Sequence, residues 1–351
     1  MKKYPFTFII LILLIMSSCL TESDPEQNLV REIILEKVTN DTLLANQLHV
    51  EIPGLLDVFC LEDVTLLRTR DPENIFYILD KYSHDIIGAY GRKGNGPTDF
   101  LYPRNFTPVD SGSLWITDMG LKRIYHVDVA NKESRNSKNL ILSTINFKDD
   151  ESEDSYVIDK NKTFGIINSV RDSTVFFLKD FTSDNQAITF NFLTFGLPRG
   201  YNEFTVDQKL QYAQKSTAIK PDRSKMVLAH YFSPYISVIS TDGTSQHTIS
   251  IKQLDRNKKV NRKTFERSLY TIFEGVTVTD NYIYVVYNDQ LNEEVAEISK
   301  PIEILVFDWA LNPIRRFFVN EYVLRIGVSL DDKFLIGIDY TSEEVFKYQL
   351  P

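Results

Sequence analysis

The sequence of 351 residues predicts an all-β fold: a six-bladed β-propeller of four-stranded antiparallel blades, closed by an N-terminal strand that joins the last blade. Three observations carry that expectation. The chain is 43% hydrophobic and rich in Phe and Tyr, a composition that suits pleated, half-buried strands. Short apolar or alternating runs recur between turns of Asn, Asp, Gly and Pro, while helix-period stretches are scarce. Marked by Phe76, Trp115, Phe176, Val227, Tyr284 and Leu335, the runs return at intervals of 39, 61, 51, 57 and 51 residues, a loose period near that of a propeller blade. Paired β-sandwiches or an open solenoid share this composition, but a ring leaves no exposed sheet edge to aggregate.

The first element is a secretory leader over residues 1–18. Met1-Lys2-Lys3 gives a positive end, Phe6 to Met16 is almost wholly apolar, and Ser17-Ser18 supplies the small residues of a cut site. The apolar run is about half of the roughly 20 residues a spanning helix needs. Met16-Ser17-Ser18-Cys19 has the pattern of a lipobox, which makes Cys19 the lipid attachment and the membrane a partner through that lipid. Two or more acyl chains hold a protein firmly where one does not.

Residues 19–30 read as an acidic, turn-rich tether, with Leu20-Thr21-Glu22-Ser23-Asp24-Pro25-Glu26 too polar to build a core. This stretch is similar to the acidic signal that carries Bacteroidetes lipoproteins to the outer face of the outer membrane. Losing Lys2 and Lys3 with the leader takes the formal charge from −9 to −11. No stripe of Lys and Arg stands out, which argues against a nucleic-acid partner. The other cysteine, Cys60, lies in Val58-Phe59-Cys60-Leu61 and reads as a small buried apolar residue.

From residue 31 to 351 the sequence reads as one propeller. Leu29 to Val38, with Ile33 and Leu35 alternating against charged neighbours, is the expected closing strand. The blades then show a repeated hairpin grammar. Trp115 is followed by the turn Asp118-Met119-Gly120 and the run Arg123 to Asp128; Val227 by Ser233-Pro234 and Tyr235 to Ile239; Phe334 by Tyr340-Thr341-Ser342 and Val345 to Tyr348. Residues 251–270, with Lys258-Lys259 and Arg262-Lys263, read as a polar loop between blades with some helix.

Three motifs then resemble the TolB-like six-bladed propeller lipoproteins of Bacteroidetes. The first is the Gly-rich turn with Gly91, Gly94, Gly96, Pro97 and Phe100, in which Thr98-Asp99 replaces the commoner Gly-Glu. The second is Thr279-Asp280-Asn281-Tyr282-Ile283-Tyr284 with Tyr287. The third is Val306-Phe307-Asp308-Trp309 followed by Asn312-Pro313. The resemblance implies the propeller and a cell-envelope location, and it implies no catalytic or cofactor-binding residues.

Chemistry is sparsely marked. Gly91 to Gly96 lacks the Lys-Ser/Thr pair and following helix of a phosphate loop, so the glycines are expected to serve a turn with positive φ. Val109-Asp110-Ser111-Gly112-Ser113-Leu114-Trp115 resembles part of a sialidase Asp-box, a structural staple. Neither HExxH nor GxSxG occurs, and His49, His84, His126, His230 and His247 show no metal-ligand spacing. Asp80, Asp118, Asp180, Asp289 and Glu303 lie near predicted strand ends and are the candidate oxygen ligands for a calcium ion. No cofactor is otherwise expected. The leading expectation is a non-catalytic binding or scaffold propeller for an envelope protein, peptide or glycan; the alternative is a metal-dependent hydrolase or lyase working in the funnel.

Overall fold

The computed structural model describes residues 30–137, 140–147, 152–167, 173–182, 187–193, 197–291, 301–339 and 341–351; the leader and Cys19 lie outside them. Three short strands come first: β1 (Arg31–Ile33), β2 (Thr39–Thr42) and β3 (Ala45–Leu48). Blade one holds β4 (Leu55–Cys60), β5 (Val64–Thr69), β6 (Phe76–Asp80) and β7 (Ile86–Tyr90). Blade two holds β8 (Pro103–Pro108), β9 (Ser113–Asp118) and β10 (Arg123–Asp128), then helix α1 (Lys132–Ser137) and β11 (Ile141–Asn146). Blade three holds β12 (Ser152–Asp159), β13 (Lys162–Ile167), β14 (Ser173–Asp180) and β15 (Ile188–Leu193). After α2 (Val206–Tyr212), blade four holds β16 (Lys215–Ile219), β17 (Lys225–His230), β18 (Tyr235–Ser240) and β19 (Gln246–Ile251). After α3 (Phe265–Ser268), blade five holds β20 (Tyr270–Val278), β21 (Tyr282–Leu291), β22 (Ile302–Asp308) and β23 (Pro313–Val319). Blade six holds β24 (Val323–Val328), β25 (Phe334–Asp339) and β26 (Val345–Gln349).

Within each blade consecutive strands pair antiparallel, and β3 supplies the fourth strand of blade six beside β26. The ring is therefore closed by an N-terminal strand, as the hairpin repeat predicts, but that strand is Ala45–Leu48. The segment expected to close it does something else. Arg31–Ile33 lies parallel on the outer edge of β19 in blade four, and Leu35–Lys37 forms a 3-10 turn. β2 then lies parallel on β23 in blade five. Alternation told that Ile33 and Leu35 are buried, but it could not tell which sheet edge receives them. Arg31 also ties the segment to the neighbouring blade five, donating to the backbone oxygens of Ala310 and Leu311 and to Asn312 Oδ1.

The core lies between the blades. Val227, Ile236 and Ile249 meet Phe273, Ile283 and Leu305 across the seam of blades four and five. Val286, Ile304 and Val306 meet Val323, Leu324 and Leu335 at the next seam. Leu66, Phe76, Ile78 and Phe100 meet Leu114 and Tyr125 between blades one and two. Leu48, Ile336 and Val345 meet Val58 and Leu67 where the ring closes. Each fully buried aliphatic or aromatic side chain stabilises by about 1.5–3 kcal/mol, so every seam contributes and no single one dominates.

The six markers fall one per blade, which explains the repeat. Phe76 and Phe176 sit on third strands whereas Trp115, Val227, Tyr284 and Leu335 sit on second strands, which explains its irregularity. Two polar linkers add a cap at one end of the ring. The α2 linker starts on a capping box, in which Thr205 Oγ1 accepts from Gln208 N and Gln208 Oε1 accepts from Thr205 N. Its Tyr201, Phe204 and Tyr212 pack on Phe232, Val260 and Phe265, so the expected loop at 251–270 is half of a small aromatic cluster.

Candidate functional site

The first strand of every blade faces the axis, and together β4, β8, β12, β16, β20 and β24 enclose a channel of about 270 Å³. A strand at the centre of a ring should read as continuously apolar, yet five inner strands carry an ionisable residue near their start or middle, Asp57, Arg104, Asp154, Glu274 and Arg325, and the sixth, β16, opens on Lys215, which also lines the channel. The ladder explains how they reach the lumen. In those same five strands the pairing register slips, between Leu55 and Asp57, Pro103 and Asn105, Ser152 and Asp154, Phe273 and Gly275, and Val323 and Arg325. A bulge of this kind bends the strand and re-aims a side chain; Arg104 and Glu274 are themselves the skipped residues.

Going round from blade six, the lumen meets Arg325, Asp57, Arg104, Asp154, Ser216 and Glu274, with Arg68 of β5 behind Asp57. The charges alternate and pair loosely. Arg68 Nη2 lies 3.5 Å from Asp57 Oδ2, Arg104 Nε 3.8 Å from Asp154 Oδ1, and Arg325 Nη1 3.6 Å from Glu274 Oε2. On the periphery the pairs close to hydrogen-bond distance: Arg256 to Asp289 at 2.8 Å and Arg316 to Glu303 at 2.5 Å. Burial pushes the Glu274 carboxyl above the usual carboxylate range against the pull of Arg325. Burial is the largest influence on the Arg104 guanidinium and lowers its pKa, but Asp154 together with Tyr102, Tyr231 and Tyr156 outweighs it and holds the pKa above its ordinary value.

A tyrosine completes the belt. Tyr231, in the turn between β17 and β18, links its own blade to blade five through its backbone, which donates to Gln214 O just ahead of β16 and accepts from Ile272 N of β20. Its phenol is raised above its ordinary pKa by burial, and the charges of Arg325, Glu274, Arg104 and Asp154 all act on it. Tyr156 stands beside it with its hydroxyl on Thr217. Further down, the rings of Phe59 and Phe106 meet at a tilt with centroids 5.6 Å apart, and Val58, Ile219, Val278 and Val328 line the channel. The lumen is thus polar at the capped end and apolar at the other.

The acids singled out in the sequence lie elsewhere. Asp80 accepts from the backbone N–H groups of Tyr82 and Ser83, Asp118 from those of Leu101, Tyr102 and Leu121, and Asp180 from that of Thr182. Asp289 and Glu303 hold the two peripheral arginines. These five do not fit a calcium site, because they sit in separate turns and ion pairs of four blades. Among the described residues no group of three or more His, Cys, Asp or Glu is placed to hold a metal ion.

The remaining motifs are structural. Gly91 has φ +84°, as a turn glycine should, but Gly94 and Gly96 do not share it. They are glycines because a Cβ would stand 2.2 and 2.8 Å from Asp99 Oδ2, which accepts from Gly96 N at 2.8 Å. Pro97 is exposed in the same turn and Phe100 is fully buried against Phe76, Tyr90 and Tyr125. Asp110 staples its hairpin by accepting from Gly112 N and Ser113 N, the role of an Asp-box. Asp308 accepts from Ala310 N and Asn312 N, and Trp309 Nε1 donates to Thr279 O. Cys60 is a free thiol at the channel wall, pushed up to about 12 by burial.

Comparison with known proteins agrees with this architecture. Residues 34–331 match the family described as TolB-like 6-blade propeller-like. A member of the duf4221 family from Bacteroides vulgatus is 12% identical with a TM-score of 0.57, over 93% of this chain and 99% of that one. A candidate exported protein from Bacteroides fragilis is 10% identical with a TM-score of 0.53, over 91% of this chain and all of that one. At these identities the likeness shows the fold alone. No curated protein matches the sequence.

Proposed function

The chain belongs to the TolB-like 6-blade propeller-like family, and from that premise we propose that it is a non-catalytic binding propeller of the cell envelope, tethered to a membrane by lipid on Cys19. Its ligand enters the central channel at the capped end. The observation that carries this reading is the belt of Asp57, Arg104, Asp154, Glu274, Arg325 and Tyr231, in which six blades set polar and charged groups around one lumen. Ligand pockets combine an apolar wall with a few convergent polar groups in this way. The carboxylates of the belt face arginines rather than one another, an arrangement that serves recognition better than acid–base chemistry or a metal ion. A protein, peptide or glycan partner would present its recognised group at this mouth.

The leader, the Met16-Ser17-Ser18-Cys19 pattern and the candidate exported relative support work outside the cytoplasm, with 1–18 removed, 19–30 as tether and 31–351 as the working domain. No helix among the described residues is long and apolar enough to cross a membrane; the support for the anchor is the Met16-Ser17-Ser18-Cys19 pattern itself. Two measurements test the reading. Native mass spectrometry of the protein released from envelopes should find a retained small molecule, or uptake of one from an envelope extract, that Ser216→Trp abolishes by filling the channel. Retention by Ser216→Trp would move the site away from the lumen. Detergent-phase partition should follow Cys19, with Cys19→Ser moving the protein to the aqueous phase; equal partition would refute the lipid tether.

A further inference from the structure

The belt is not evenly shielded. The side chains of Arg104, Arg325 and Asp57 keep 43, 35 and 33% of their surface, whereas Asp154 and Glu274 keep 7 and 14%. Arg68 and Lys215 of the channel wall are shielded too, at 17 and 8%, so the exposed charges a molecule in the lumen meets are two guanidinium groups and one carboxylate, with Asp57 between its two cationic neighbours in the ring. The three are differently committed. Arg325 Nη1 already donates to the carbonyls of Glu274 and Leu324, each at 3.1 Å. Asp57 accepts from Val58 N at 3.2 Å and from Arg68 at 3.5 Å. The Arg104 ion pair with Asp154 Oδ1 spans 3.8 Å, beyond the roughly 3.2 Å of a formed N–H···O bond.

A guanidinium presents five N–H donors in a planar fork that matches a carboxylate two bonds at a time. Here the fork is oriented but unspent. Asp154, nearly buried and with an Oδ1 that accepts no hydrogen bond, fixes its charge from behind. Tyr102, Tyr156 and Tyr231 bring their phenol oxygens within electrostatic reach, and all three line the same lumen.

We propose that the channel mouth is a site for a small organic carboxylate, gripped by the fork of Arg104 with the Tyr231 hydroxyl as a further donor. Arg325 adds attraction from the other side of Asp57. Asp57, the open acid, repels a second carboxylate and accepts from a hydroxyl or ammonium group. The ligand class is therefore a monocarboxylate that also carries a donor, such as a sugar acid or an amino acid at a peptide end. A channel of about 270 Å³ admits a molecule or chain end of that size. The inference rests on the reading of the channel as the binding site.

Isothermal titration of two matched probe pairs tests it: glucuronate against glucose, and alanyl-alanine against its C-terminal amide. Binding of at least one acid, with its neutral counterpart at least tenfold weaker, is expected. Arg104→Gln should weaken that acid by about 10- to 100-fold, the loss of a charge-assisted pair, and Arg104→Lys less, since it keeps the charge and loses the fork. Unchanged unfolding curves for both variants separate this from misfolding. The sugar acid and the peptide pair tell the two sources apart. If acid and neutral probes bind alike, unaffected by Arg104→Gln but abolished by Ser216→Trp, the carboxylate site falls and the channel reading stands. If Ser216→Trp leaves binding intact, both fall. If neither acid binds more tightly than about 1 mM, the carboxylate site is refuted, and the channel reading is then decided by the retained-ligand experiment.

Discussion

His230, at the end of β17, is buried opposite Lys215 on β16. Burial first, and the lysine charge second, push its imidazole down to about 3. In the unfolded chain the same ring keeps its ordinary value of about 6.5. Between those values the unfolded state binds a proton that the folded state refuses, so stability falls as pH drops, by about 1.4 kcal/mol per pH unit. His84 and His126 are lowered by burial too and act in the same direction. Urea unfolding at pH 7, 6 and 5 should show this loss, and His230→Gln should remove the share of His230. Equal pH slopes in the two proteins would mean that His230 takes up its proton inside the folded ring. A second residue, Gly91, holds φ +84° with Phe100 and Phe76 at 3.1 and 3.2 Å from where a Cβ would stand. Gly91→Ala should cost about 1–3 kcal/mol in chemical denaturation, and a neutral result would show that the turn relaxes. Such turn glycines and the buried Cys60 were legible in the sequence, since local patterns mark them. The belt was not. Asp57, Glu274 and Arg325 each interrupt an apolar run, while Arg104 and Asp154 stand among polar neighbours, all in strands far apart in the chain, and nothing local distinguishes them from a solvated turn acid or a strand-end arginine. The faint signal was their recurrence with Lys215, a charged residue in the first strand of every blade.

Among the elements, the N-terminal strands behave as a strap. β1 lies on the edge of blade four, β2 on the edge of blade five, and β3 completes blade six, so one short segment covers three consecutive outer edges. The strap is pinned by Ile33, Leu35, Leu43 and Leu48, all buried, and by Gln47 Nε2 donating to Glu344 Oε1. At about 1.5–3 kcal/mol for each buried side chain, an upper bound because the unfolded chain already hides some surface, the four stabilise by roughly 6–12 kcal/mol. That is comparable to the roughly 5–15 kcal/mol by which a whole domain is stable. A chain that starts at Val50 should therefore fail to unfold cooperatively in urea, while one that starts at Val30 should give a single transition. A single transition with an unchanged midpoint in the shorter chain would show that the ring holds without its strap. The strands themselves were legible because period-two alternation survives in isolation. Their partners were not: Ile33 reads the same whether it meets Ile251 of blade four, as it does, or an inner strand of blade six.

At the scale of the molecule, ring closure is what turns scattered residues into a lumen, and it also decides the fate of the acids. Most carboxylates that the sequence offers as calcium ligands end their strands by accepting backbone N–H groups at turns, as Asp80, Asp118 and Asp180 do. Those that reach the axis, Asp57, Asp154 and Glu274, arrive beside Arg68, Arg104 and Arg325. A divalent cation at the mouth would have to displace these guanidinium charges or share the lumen with them, and at close range and low dielectric either is unfavourable. Calcium saturation and a chelator should then leave the thermal midpoint of residues 30–351 unchanged. The measurement is sensitive enough to decide. A ligand at 100 times its dissociation constant adds about 2.7 kcal/mol to the native state, which moves the midpoint of a large domain by several degrees, at roughly 2–4 °C per kcal/mol. A calcium-dependent rise of that size, with one ion bound per chain, would require the channel carboxylates to release their arginines and converge, and it would put metal-assisted hydrolysis ahead of carboxylate recognition as the work of this propeller.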